Sequence, residues 1–210
     1  PGAGNTLGSK EAARAEPDGY TLLYSSVSGL ILSPLIQKDP GYDPITSFAP
    51  IAPVGTGTTI LVVHPSFPAK TVQELVAYAK ANPGKVNFSS GGVGVLPHMI
   101  GEMFKSRAGI DLVHVPYKGA APAFVDLISG QVDLMFANIV GTMPHLRTGR
   151  VRAVAVSSAS RSPLLPEVPA LAETIPGFRA EVWVGTFAPA KTPADIINRL
   201  NADIQKSTGL

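Results

Sequence analysis

The chain has 210 residues, a formal net charge of +2, and 45% hydrophobic against 15% charged residues, the balance of a folded soluble protein long enough to bury a core in one large or two small domains. Its seventeen Lys and Arg and fifteen Asp and Glu are interspersed without a basic run, so no nucleic-acid partner is expected. The absence of cysteine excludes disulfides and thiolate metal sites, and no apolar stretch approaches the roughly 18 residues of a membrane helix.

In chain order, PGAGNTLGSKEAARAEPDG at 1–19 reads as a glycine-rich turn opening a short helix with no strand before it. YTLLYS at 20–25 and TILVVH at 59–64 predict strands. TVQELVAYAKA at 71–81 sets Val72, Leu75, Val76 and Ala79 on one helical face, with a capping box from Thr71 and Glu74 and a stop at Asn82-Pro83-Gly84. KVNFS at 85–89 predicts a strand that enters the turn Ser89–Gly94, followed by a helix from about Pro97 to Arg107 with Met99, Ile100, Met103 and Phe104 inward. LVHV at 112–115 is a strand, and the helix near 120–129 is expected to bury Phe124, Val125 and Ile128 before stopping at Gly130. VDLMFA at 132–137, VRAVAVS at 151–157 and EVWVGTFA at 181–188 complete the strands. The last helix starts at Pro193, with Thr192 as N-cap and Ile196, Ile197, Leu200 and Ile204 as its apolar stripe. This alternation predicts an α/β protein with a largely parallel sheet.

The stretch NFSSGGVGVLPHMIGEMF at 87–104 has the outline of an anion-binding turn: a strand, a glycine-rich bend, then a helix N-terminus. A dinucleotide fingerprint fails, because the residue three after Gly94 is Pro97 and no acidic residue closes the next strand. No Walker A loop is present. The N-H groups at such a terminus suit a carboxylate as well as a phosphate, and a connection that binds nothing is the competing reading. A second turn of the same kind, YKGAAPAF at 117–124, favours a site, since loops at the carboxyl ends of neighbouring strands converge.

Catalytic groups are sparse. His64, His98, His114 and His145 show no metal-ligand spacing, and there is no GxSxG elbow. The enzyme alternative is a small α/β hydrolase or transferase that uses Ser90 as nucleophile and His98 as base.

Seven stretches in series are similar to the substrate-binding proteins of tripartite tricarboxylate transporters, the Bordetella uptake gene family of extracytoplasmic solute receptors. They are PGAGN at 1–5, PDGYTLL at 17–23, YDPITSFAPIAPVG at 42–55, FSSGGVG with His98 after it, VPYKGAAPAFVDLISGQVDLMF at 115–136, LRTGRVRAVAVSSASRSPLLPEVPALAE at 146–173 and PGFRAEVWVGTFAPAKTP at 176–193. The resemblance covers essentially the whole chain.

It implies an α/β, two-domain, type II periplasmic-binding-protein-like clamshell that closes on a small mono- or dicarboxylate. The first domain would comprise residues 1–62 plus 186–210 and the second 63–185, with hinges near Val62–His64 and Thr186–Ala188. It also implies that one strand-helix unit before this chain and further helices after it are missing, and that the signal peptide is outside the chain. The ligand contacts carried over are Ser90, Gly91, Gly92, Gly94, Val95, His98, Tyr117, Lys118 and Gly119, with Asn138 past the strand VDLMFA. From the first domain they are Ser25, Ser26, Val27 and Ser28. Val95 stands where the family usually has Ser or Thr, which would favour a ligand with an apolar body. The implied protein is a non-enzymatic, monomeric periplasmic receptor with no cofactor, serving a membrane transporter or a sensor.

Overall fold

A computed structural model describes residues 6–209; the PGAGN turn at 1–5 lies outside them. In chain order the elements are α1 (Thr6–Arg14), β1 (Leu23–Ser26), a π-helical turn (Ser28–Leu32), α2 (Ser33–Ile36), β2 (Phe48–Val63), α3 (Val72–Ala81), β3 (Asn87–Ser90) and α4 (Leu96–Ala108). There follow β4 (Val113–Pro116), α5 (Ala120–Ile128), β5 (Leu134–Asn138), α6 (Ile139–Arg147), β6 (Arg152–Val156), a 3-10 turn (Leu171–Glu173), β7 (Glu181–Pro189) and α7 (Ala194–Thr208). The contacts divide the chain into two compact units, Pro1–Thr56 with Val182–Leu210, and Gly57–Glu181. Among the described residues no helix is long and apolar enough to cross a membrane.

The first unit pairs β1 with β7 antiparallel, setting Leu23 opposite Phe187 and Ser26 opposite Val184. Its core is small. Ala12, Leu23, Leu30 and Phe48 pack with Tyr42, Trp183 and Phe187, and Ile51, Ala52 and Ala188 form a second cluster. The stripe predicted for α7 holds in part, since Ile197, Leu200 and Ile204 lean on that second cluster, yet no residue of α7 is fully buried. Thr192 does not cap α7: its hydroxyl donates to the Pro189 carbonyl at 2.8 Å, and Pro193 occupies the N-cap.

The second unit is a sandwich of helices around a mixed sheet ordered β6-β2-β5-β3-β4. β3 runs parallel to β4 and β5, as the βαβ pattern requires, but β2 runs antiparallel to both β5 and β6. The expectation of a largely parallel sheet is therefore corrected to a mixed one. β2 lies between β5 and β6, outside the β3-α4-β4 and β4-α5-β5 units whose helical crossovers set the parallel strands. Both faces of the sheet are covered. Leu61, Val63, Phe88, Phe104, Leu134 and Phe136 lie in one cluster, and Ile60, Val62, Met135, Ala137, Ala123 and Leu127 in the other.

α5 shows a second correction. It buries Ala123 and Leu127, while Val125 is 64% exposed and Phe124 and Ile128 are half-buried. The two small or medium residues one turn apart pack closest to the sheet and rotate the helix by about one residue from the face that the larger side chains suggest.

A buried hydroxyl cluster joins distant segments of this unit. Ser157 Oγ donates to the Ala180 carbonyl at 2.6 Å and accepts from the Thr59 N-H at 3.1 Å and the Thr59 hydroxyl at 2.8 Å. Thr58 Oγ1 stands 3.2 Å from it and accepts the Ser158 N-H at 3.0 Å. Thr58, Thr59 and Ser157 are all buried, so this network satisfies polar groups that water does not reach.

Candidate functional site

The two glycine turns lie side by side because β3 and β4 are parallel neighbours. The ladder continues past the strand ends: Tyr117 N-H donates to the Ser90 carbonyl at 2.9 Å, and Gly119 N-H to the Gly91 carbonyl at 3.0 Å. Gly91 has to be glycine for this approach, since a Cβ there would stand 3.2 Å from the Ala120 nitrogen and from the Gly119 carbonyl carbon. Gly94 and Gly119 hold φ of +81° and +120°, backbone that L side chains rarely adopt.

Each turn delivers the chain to a helix whose N-cap residue offers no capping side chain. Val95 is the N-cap of α4 and Gly119 that of α5, and neither contributes a side-chain hydrogen bond. A Ser or Thr at position 95 would offer its own oxygen to the first turn of α4; valine leaves that role to another acceptor. Lys118 is exposed beside the α5 terminus.

Behind the first turn stands a stack of rings. Phe88 and His114 have centroids 4.8 Å apart, His114 and His98 4.0 Å apart, and Phe88 and His98 6.4 Å apart with nearly parallel planes. Each imidazole grips the turn at one end. His98 Nδ1 accepts the Gly94 N-H at 3.1 Å, and His114 Nε2 lies 2.6 Å from Ser90 Oγ. Ser90 Oγ donates to the Gly92 carbonyl at 2.9 Å and accepts the Gly92 N-H at 3.2 Å.

Burial holds both rings in the uncharged form. The His114 pKa is lowered to about 4, by desolvation first and then by the neighbouring His98. Desolvation also lowers His98, opposed by Glu102, whose carboxylate is 3.9 Å from Nε2 and is itself paired with Lys105 at 3.1 Å.

The candidate residues separate by what they offer. Ser90 has no exposed surface, and Gly94 and Val95 are buried, so these three shape the turn from inside. Gly91, Gly92, Lys118 and Gly119 present surface. Tyr117 gives its hydroxyl to Asp126 Oδ2 at 2.6 Å, and that hydrogen bond leads in raising its pKa to about 12. Asn138 caps α6, its side-chain oxygen accepting from the Val140 and Gly141 N-H groups at 2.9 and 3.3 Å. Ser25 and Ser26 end β1, with Val27 and Ser28 leading into the π-helical turn of the first unit. The sequence names His114 only among four histidines without metal-ligand spacing and not as a neighbour of Ser90, although its alternation with Val113 and Val115 already placed it on the opposite strand face from them.

The pair needed by a Ser90–His98 hydrolase is not formed: His98 turns its Nδ1 to Gly94, and the ring on Ser90 belongs to His114. Among the described residues no group of three His, Cys, Asp or Glu could hold a metal ion. At the other end of the strands, a groove of about 640 Å³ is lined by Lys70, Arg152 and Glu167 among others. There Arg152 donates to the Phe67 and Ala69 carbonyls at 2.9 and 2.7 Å, fastening the segment before α3 to β6.

Solved periplasmic binding proteins are similar to this chain in sequence and fold. One described as a periplasmic transporter has a TM-score of 0.93 at 40% identity, over 99% of this chain and 69% of that one. A Rhodopseudomonas palustris protein, MatC, solved with bound malate, has a TM-score of 0.90 at 32% identity, over 98% of this chain and 70% of that one. The family model of the tripartite tricarboxylate transporter family receptor matches residues 1–209, and the chain belongs to that family. A UPF0065 protein of Pseudomonas sp. strain P51 is 38% identical over 98% of this chain, and BugT of Bordetella pertussis is 37% identical over 98%. The chain spans 62% and 64% of the length of these two relatives.

Proposed function

We propose that the paired turns 90–95 and 117–119 bind the carboxylate of a small mono- or dicarboxylic acid, and that the protein is a periplasmic receptor serving a membrane transporter or sensor. The observation that carries this reading is the meeting of two glycine-turned strand ends, each leading into a helix whose N-cap residue supplies no side-chain hydrogen bond. Backbone N-H groups and the positive helix ends supply partial charge for an anion without an arginine clamp. The receptors solved with adipate and with malate support a carboxylate as the ligand class. The reading is of binding without turnover, because Ser90 is enclosed and its hydroxyl already has partners within the turn.

Isothermal titration of the protein with malate, adipate and citrate, and with glucose as a neutral control, tests the proposal. Heat for at least one acid and none for glucose is expected, with each charge-assisted hydrogen bond contributing on the order of 1.5–3 kcal/mol. Binding of glucose and of no acid would overturn it.

A further inference from the structure

We propose that His98 and His114 are positioning residues that hold the turn between Ser90 and Val95 in its anion-ready form, and that acidification loosens the turn through His98, whose Nδ1 holds the Gly94 N-H only while it is unprotonated. The inference rests on the carboxylate reading of the turn but concerns how the turn is held.

The geometry is specific. Ser90 and Gly94 bracket the glycine bend, and each is fastened to one ring of the same stack, at 2.6 and 3.1 Å. The bond at Gly94 requires a lone pair on His98 Nδ1, because an N-H can only donate. Protonation of that nitrogen replaces an acceptor with a donor facing a donor. Gly94 loses its partner, and at φ +81° it is a hinge point where the backbone has other conformations to reach. The second ring cannot compensate. His114 lies against His98 with centroids 4.0 Å apart, so a charge on either ring disfavours a charge on the other.

The ionisable groups facing the stack are few. Glu102 and Lys105, on the same helix as His98, form a pair of their own, and the ring neighbours on β3 are Phe88 and Ser90. Burial keeps both histidines neutral near pH 7, which is the state that the Gly94 bond needs. The exposed face of the turn thus carries no titratable side chain of its own, and its order is set by rings behind it.

The test reads the turn directly, by NMR on the 210-residue protein. Exchange protection of the Gly94 amide, corrected for the intrinsic rate, is followed from pH 7.5 to 5 beside the imidazole nitrogen shifts of His98. Protection is expected to fall at least tenfold as His98 protonates, the consequence of losing one buried hydrogen bond. His98→Phe keeps a stacked ring without an acceptor, and its Gly94 amide is expected to be unprotected at every pH. His98→Asn places an oxygen near the Nδ1 position without a titrating group, and is expected to recover the protection with no pH step. Malate titrations on the same variants should track the protection, weakening about tenfold in H98F and losing their His98-dependent pH step in H98N. Unchanged Gly94 protection while His98 titrates, or an identical pH step in H98N, would overturn the proposal. Absence of malate binding in all variants with the amide behaviour intact would instead count against the carboxylate reading.

Discussion

Replacing Ser157 by alanine tests the buried hydroxyl cluster that ties β2, β6 and the segment before β7 together. The wild-type oxygen takes part in three close hydrogen bonds, to the Ala180 carbonyl, the Thr59 N-H and the Thr59 hydroxyl. Alanine fills nearly the same volume, so packing changes little, but the Thr59 N-H and the Ala180 carbonyl lose these partners in a region where Ser157 and Thr59 are 0% and 3% exposed. Each unsatisfied buried group costs about 1–3 kcal/mol. The Thr59 hydroxyl can turn to other acceptors, so a total of about 2–4 kcal/mol is expected. At about 2–4 °C per kcal/mol for a chain of this size, the midpoint should fall by roughly 4–16 °C. Thermal and urea unfolding followed by far-ultraviolet circular dichroism measures it. Ser158→Ala is the control, because its hydroxyl bonds the exposed Ser160 carbonyl, and its loss should cost under about 1 kcal/mol. A Ser157→Ala protein within about 0.5 kcal/mol of wild type would refute the claim that this oxygen is the node of the cluster.

Three more outcomes are expected. Gly101→Ala puts a Cβ 2.3 Å from the fully buried Phe88 ring, so overpacking of about 1–3 kcal/mol should exceed the helix gain of at most about 1 kcal/mol, and urea unfolding should show net destabilisation. Tyr117→Phe removes the bond to Asp126 and should cost about 1 kcal/mol of stability while leaving carboxylate affinity unchanged by calorimetry, since the hydroxyl is given to Asp126 of α5 rather than to a ligand. His98 and His114 have folded pKa values below that of the unfolded chain, so the unfolded state binds more protons in the window from about 6.5 down to about 4. Stability should therefore be complete above that window and decline as pH falls through it, and His114→Phe should flatten the decline in a pH series of urea melts.

The sequence made legible those features that local spacing controls. The capping box of Thr71 and Glu74 is formed as the spacing requires, with Glu74 N-H donating to Thr71 Oγ1 at 3.2 Å. The helix expected from about Pro97 runs Leu96–Ala108 and buries Ile100 and Phe104. The first half of β2 was missed because Pro50, Pro53, Gly55 and Gly57 read as breakers; its pairing is decided by tertiary neighbours instead. α6 was missed for a similar reason. Pro144 sits within it, and Asn138, expected only as a ligand contact, also caps it. Pairings across long separations had no local signal at all. Thr58 meets Ser157 across 99 residues, and Ser90 meets His114 across 24, the latter only because two strands lie parallel in one register.

The same distinction explains why the turns could be found while their supports could not. An anion held by backbone N-H groups demands no particular side chain at its contact points; it demands backbone that can bend and approach, which a sequence records as glycine. Gly91, Gly92, Gly94 and Gly119 are therefore the visible trace of the proposed site. The groups that keep the bend in one shape are ordinary core residues by composition: a phenylalanine, a serine and two histidines on three different elements. Chemistry assigns those imidazoles to catalysis or metals when they are read singly. Stacked 4.0 Å apart and each joined to one end of a bend, they act in the proposed device as two rigid walls, one accepting from Gly94 and one bonded to Ser90, and the charge state of His98 decides the order of a surface that bears no charge of its own.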